Sequence, residues 1–106
     1  MVARIQIPKQ AKRGEVIDVR IAIKHPMETG FRYDVMGKPI PKNVINRLVA
    51  RYNGAEIFRA ELGSGIAANP YLQFSTVAET SGELVFEWID DNGNRGEERA
   101  AISVIE

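Results

Sequence analysis

The sequence has no cysteine, only one histidine and no long apolar run. Without cysteine there is no thiolate nucleophile, no disulfide and no sulfur-ligated metal site. A single histidine cannot supply the three or four ligands that zinc takes, so we predict no metal and no cofactor. No segment approaches the roughly 20 apolar residues of a membrane-spanning helix. Residues 1–5 also lack the apolar run of a signal peptide, so the chain alone reads as cytoplasmic.

The charges are balanced, with 14 Lys and Arg against 14 Asp and Glu. A neutral chain has no general attraction for nucleic acid or for an anionic membrane, and we predict neither as a partner. The 106 residues suit a single domain, residues 1–106, and 44% apolar content excludes a disordered chain. Partner recognition is then expected to rest on shape and apolar contact.

Alternating apolar residues predict β-strands. The clearest run is Val16 to Ile23, where Ile17, Val19, Ile21 and Ile23 share one face. Shorter runs predict further strands near residues 4–7, 44–52, 56–62, 72–76, 84–88 and 98–105. About seven antiparallel strands at this spacing predict an all-β, immunoglobulin-like β-sandwich.

Residues 43–52 permit two interpretations. Val44, Leu48 and Arg51 have helical spacing, but the segment runs into Asn53-Gly54 before a second apolar segment. Asn-Gly in that position is the strongest short-range signal for a β-hairpin, which we therefore predict.

Two motif matches lack the context that their chemistry requires. Residues 63–68 match a G-x-G-x-x-A phosphate-binding pattern, but Pro70 stops the helix that such a site needs. Residues 90–94 resemble the start of a calcium loop, but Arg95 occupies the glycine position and Ala101 the bidentate glutamate position. A crossing loop and a hairpin turn explain these residues better.

Several predicted strands carry apolar residues on both faces. Val85 and Ile89 lie opposite the face of Leu84 and Trp88, and Ile105 lies opposite Ile102 and Val104. In residues 44–52, one face carries Ile45 and Val49 and the other carries Val44, Leu48 and Tyr52. A sandwich buries one face of each strand, so part of this second face is expected to meet a partner. The competing interpretation is that isolated apolar residues are common on any protein surface.

The segment Lys24-His25-Pro26-Met27-Glu28-Thr29-Gly30 ends the clearest strand. Pro26 cannot donate to a strand ladder, and Gly30 supplies the freedom that a reversal needs. The loop nevertheless has apolar residues where polar ones are usual. We predict a partner-binding site here; its residues are His25, Pro26, Met27, Glu28, Phe31 and Tyr33.

Catalysis through His25 would require a nucleophile and an orienting group. Glu28 could orient the ring, but the sequence offers no nucleophile motif beside it. We therefore predict no enzyme activity and no catalytic residue.

The loop also resembles a known family. The run KHPMETG is similar to the signature loop of SoxZ, a subunit of the bacterial SoxYZ sulfur-carrier complex. Two further segments fit the same family, residues 40–45 (IPKNVI) and residues 69–74 (NPYLQF).

The resemblance implies an immunoglobulin-like, non-catalytic subunit that pairs with SoxY. In that family a cysteine at the end of SoxY's mobile C-terminal arm carries the sulfur intermediates of thiosulfate oxidation, while other Sox enzymes visit transiently. The resemblance also implies a periplasmic location, with co-export on the partner's twin-arginine signal.

Two other functions stay open. One is a free-standing immunoglobulin-like interaction module that acts as a monomer or homodimer. The other is a small-ligand binder, which would need a concave polar pocket that the sequence does not reveal.

Overall fold

A computed structural model of the chain describes residues 3–63 and 65–106. It contains eight strands: β1 (Ala3–Gln6), β2 (Gln10–Lys12), β3 (Val16–Ile23), β4 (Ile45–Tyr52), β5 (Ala55–Glu61), β6 (Tyr71–Val77), β7 (Gly82–Asp90) and β8 (Arg95–Ile105). The described residues form no helix, and so none that is long and apolar enough to cross a membrane. The all-β prediction is confirmed. Ser64, inside the G-x-G-x-x-A match, lies outside the described residues.

The strands form two sheets, as expected for a sandwich. One has the order β1-β3-β6 and the other the order β2-β8-β7-β4-β5. All neighbours are antiparallel except β2 and β8, which run parallel. The predicted count of about seven omits β2, because this edge strand has three residues and buries only Ala11. So short an element has too little alternation to be recognised from sequence.

The core lies between β3 and β7, the centres of the two sheets. Ile17, Val19, Ile21 and Ile23 are all at most 2% exposed, as the alternation predicted. They share one apolar cluster with the inward residues of β7, of which Phe86 is fully buried. Burying such side chains contributes about 1.5–3 kcal/mol each, which makes this cluster the main stabilising feature.

The predicted hairpin at Asn53-Gly54 is confirmed. β4 and β5 pair antiparallel across this turn, and both turn residues have positive φ, 48° and 87°. Two successive positive φ values give the turn whose twist matches that of the flanking strands. The helical interpretation of residues 43–52 is therefore wrong.

A bulge in β4 changes which residues face outward. The register with β7 shifts between Ile45 and Arg47, so the simple alternation across this point does not hold. Ile45 is fully buried in the core, so the prediction that it shares one face with Val49 is wrong. Val49 lies outside the core cluster and lines a groove on the outer face with Ile89.

Candidate partner-binding loop

The connection from β3 to β4 is a narrow hairpin without regular strands. Glu28 and Asn43 exchange two backbone hydrogen bonds, of 2.8 and 2.9 Å, and Tyr33 forms an isolated bridge with Pro39. We call residues 24–28 the loop base and residues 31–38 the loop tip. The few cross-links hold the two arms together while leaving the tip largely in solvent.

The loop tip turns around Asp34. Its carboxylate Oδ1 accepts hydrogen bonds from the backbone N–H groups of Met36, at 2.8 Å, and Lys38, at 3.0 Å. Its backbone N–H and C=O bond to Lys38 and Gly37. An aspartate that holds its own turn in this way gives a short loop a definite shape without burying anything.

His25 anchors the loop base to the opposite sheet. Its Nδ1 accepts the backbone N–H of Met27 at 2.9 Å, so the ring proton on Nε2 is donated to Asp90 Oδ2 at 3.1 Å. Both side chains are almost completely buried. Because His25 follows β3 and Asp90 ends β7, this contact ties the two sheets together at one end of the sandwich.

The carboxylate of Asp90 is held by several donors. Burial by itself raises its pKa, but hydrogen bonds from His25, Asn94 and Asn92 outweigh burial and keep the pKa below the ordinary value of 3.8. Residues 90–94 thus form the predicted hairpin turn, and this carboxylate organises it. Among residues 3–63 and 65–106 no group of three or more His, Cys, Asp or Glu is placed to hold a metal ion.

Met27 packs into the core instead of facing solvent. Only 3% of the residue is exposed, it belongs to the core cluster, and the Ile45 N–H points at its sulfur at 3.3 Å. Its φ is +49°, a conformation that costs free energy for a residue with a side chain. The left-handed backbone turns the thioether inward. The apolar surface predicted for this loop therefore does not include the Met27 side chain.

Glu28 has an intermediate position. Its side chain is 16% exposed and forms an ion pair with Arg32 at 3.1 Å. Its other oxygen, Oε2, and the side-chain oxygen of Asn43 are buried and accept no hydrogen bond from the described residues. Glu28 therefore stabilises the arm of the hairpin rather than presenting a free charge.

The loop tip exposes a group of large apolar side chains. Phe31 is 84% exposed and Tyr33 67%, and the same surface continues through Val35 and Met36, both at least 80% exposed. The predicted site residues do not include Val35 or Met36, although apolar residues beside Gly37 are a signal of the same kind. The six predicted site residues thus divide: His25 and Met27 are buried, Glu28 is intermediate, and Pro26, Phe31 and Tyr33 are exposed.

Comparison with known proteins gives the family. The model of the sulphur oxidation protein SoxZ matches residues 5–101, which is nearly the whole chain. The chain belongs to the SoxZ family. The family resemblance that the loop motif indicated is therefore confirmed. A search of curated protein sequences finds no match.

Solved structures share the SoxZ-family fold at low sequence identity. The superoxide reductase (neelaredoxin) of Ignicoccus hospitalis has a TM-score of 0.77 and 19% identity, with 99% of this chain and 81% of that chain covered. The sulfur carrier protein SoxY of Chlorobium limicola f thiosulfatophilum has a TM-score of 0.67 and 11% identity, with 98% and 79% covered. At these identities the likeness concerns the fold alone, and it agrees with an immunoglobulin-like sandwich.

Proposed function

We propose that this chain is the non-catalytic subunit of a SoxYZ-type carrier complex and pairs one-to-one with a SoxY protein. The partner's cysteine would carry the sulfur intermediates of thiosulfate or sulfur oxidation, since this sequence has no thiol of its own. Membership of the SoxZ family supports the choice of partner. The proposal includes a periplasmic location, reached together with SoxY.

The observation that carries the pairing is the exposed apolar loop tip. Four large apolar side chains lie within six residues, and none packs on the protein's own core. Large apolar patches on soluble proteins mark interaction sites, and aromatic residues and methionine are enriched in interfaces. The loop tip is also held in shape by Asp34, which reduces the entropy lost on binding.

The direct test is co-purification with a SoxY protein. The double variant Phe31→Ser/Tyr33→Ser should bind at least about tenfold more weakly, because interface aromatics often contribute 2 kcal/mol or more. Val16→Ser is the control: this valine is 65% exposed and begins β3, at the opposite end of that strand from the loop. Its affinity for SoxY should be unchanged.

Equal affinity of the double variant and the original chain would remove the loop tip from the interface. Light scattering of the isolated chain measures its oligomeric state and so tests the alternative function, a free-standing interaction module. A stable homodimer that ignores SoxY, and that dissociates in the double variant, would favour a free-standing interaction module. Periplasmic and cytoplasmic fractionation of cells that express both subunits tests the location.

A further inference from the structure

Two arginines flank one isoleucine on the outer face of the five-stranded sheet. Arg47 of β4 pairs in register with Ile89 of β7, and Ile89 pairs with Arg95 of β8. The three residues therefore form one row across adjacent strands, which we call the arginine row. Two strand spacings separate the Cα atoms of the arginines, a distance of about 10 Å.

The arginine row differs from the other arginines of the same face. Arg51 pairs with Glu87, Arg59 with Glu56, and Arg99 with Glu83 and Glu97. Arg47 and Arg95 have no ion pair or side-chain hydrogen bond with any residue of the described ranges, 3–63 and 65–106. Two guanidinium groups are thus left for an outside anion.

The row lies in a groove of about 410 Å³, which is within the size range of small-ligand sites. Four arginines and two glutamates line it, Glu56 outside the groove pairs with Arg59, and Glu61 of β5 lies opposite Arg47 in register without an ion pair to it. Val49, only 6% exposed, and Ile89 contribute apolar surface between the arginines. An apolar base beneath unpaired guanidinium groups lowers the local dielectric and strengthens their attraction for an anion.

We propose that Arg47 and Arg95 clamp a divalent or monovalent sulfur oxoanion, a sulfate-like or sulfonate group, above Ile89. A guanidinium fork matches two oxygens of such a group, and arginines on both sides can share its charge. The clamp follows from the geometry of this face. The choice of sulfur among oxoanions rests on the proposed function.

The experiment uses the isolated chain and two ligands. Backbone amide NMR shifts are followed while sodium thiosulfate is added, with sodium chloride at equal ionic strength as the reference. A second titration uses a short peptide containing S-sulfocysteine. Saturable shifts centred on residues 47, 89 and 95 are expected. Tighter binding of the peptide would identify a sulfonate carried on a partner as the occupant, and tighter binding of thiosulfate the free anion; both support the clamp.

Three single-residue variants test whether Arg47 and Arg95 are the residues that bind the anion. Arg47→Gln and Arg95→Gln should each weaken binding about tenfold or more, because each removes a charge-assisted hydrogen bond. Arg51→Gln is the matched control in the same groove, since Arg51 is already paired with Glu87. Its effect should be less than about threefold.

Equal weakening by all three variants would reduce the site to general electrostatics and overturn the clamp. So would the absence of saturable shifts with both ligands. Loss of SoxY pairing in Arg47→Gln and Arg95→Gln without any anion binding would identify the row as a protein interface instead. Because these titrations use the chain alone, their failure leaves the pairing of the loop tip with SoxY to be judged by its own test.

Discussion

The base and the tip of the same loop both contain a methionine, but that of the base is buried and that of the tip is exposed. Met27 in the loop base is 3% exposed, whereas Met36 in the loop tip is 80% exposed. The loop base is tied to the opposite sheet through His25 and Asp90, while the hydrogen bonds of the loop tip, among the described residues, all stay within the loop itself. An apolar residue in a loop is therefore a weak guide to a docking surface until its burial is known.

The strongest test of this comparison is the same substitution in both parts of the loop. Met27→Ser should lower the free energy of unfolding by about 2–5 kcal/mol, because it removes buried apolar contacts and buries a hydroxyl. Met36→Ser should change it by no more than about 0.5 kcal/mol. Urea denaturation measures both. Comparable losses would mean that the tip also packs on the fold.

The next largest effect concerns the carboxylate at the loop base. Asp90→Asn should cost about 1–3 kcal/mol near neutral pH, because three residues donate hydrogen bonds to the ionised group. Asp34→Asn in the loop tip is the matched control and should cost less than about 1 kcal/mol, since that turn is exposed. The free energies of unfolding of the two variants, measured at the same pH, show whether Asp90→Asn is the more destabilising.

Asp90 also predicts a pH dependence. Its pKa is lower in the folded state than the ordinary 3.8, so the unfolded chain binds a proton first as the pH falls. The stabilisation is complete well above 3.8 and is lost as the pH drops through the folded-state value. The original chain should therefore lose stability more steeply than Asp90→Asn between about pH 5 and about pH 2. Parallel curves would contradict a depressed pKa.

The smallest effect compares two glycines of the loop. Both have positive φ, +90° for Gly30 and +79° for Gly37. A Cβ on Gly30 would lie 3.2 Å from Cβ of Lys42 on the opposite arm, whereas one on Gly37 meets nothing within 4 Å. Gly37→Ala should cost about 1 kcal/mol for the backbone conformation alone, and Gly30→Ala somewhat more. Thermal denaturation should rank them in that order.

Much of the fold could be predicted from local patterns. The alternation from Val16 to Ile23 predicted β3 with both its ends, and Asn53-Gly54 predicted the hairpin between β4 and β5. Both signals are local, because a strand face and a two-residue turn depend on neighbouring residues only. The bulge at Ile45 was not predictable, because it depends on the register with β7, about 45 residues further along the chain.

The candidate sites depended more on distant contacts. The loop was located from Pro26 and Gly30, but the burial of His25 depends on Asp90, 65 residues away. The arginine row was not predicted at all, because Arg47 and Arg95 become neighbours of Ile89 only when β4, β7 and β8 pair.

The sequence by itself determined an all-β chain, the position of its long loop and, through the loop's motif, its family. Only the tertiary structure decided which side chains of that loop are exposed and which arginines lack a partner. The physical reason is that strand periodicity and turn preference are properties of adjacent residues. Burial and charge pairing are instead set by whatever the two sheets bring into contact.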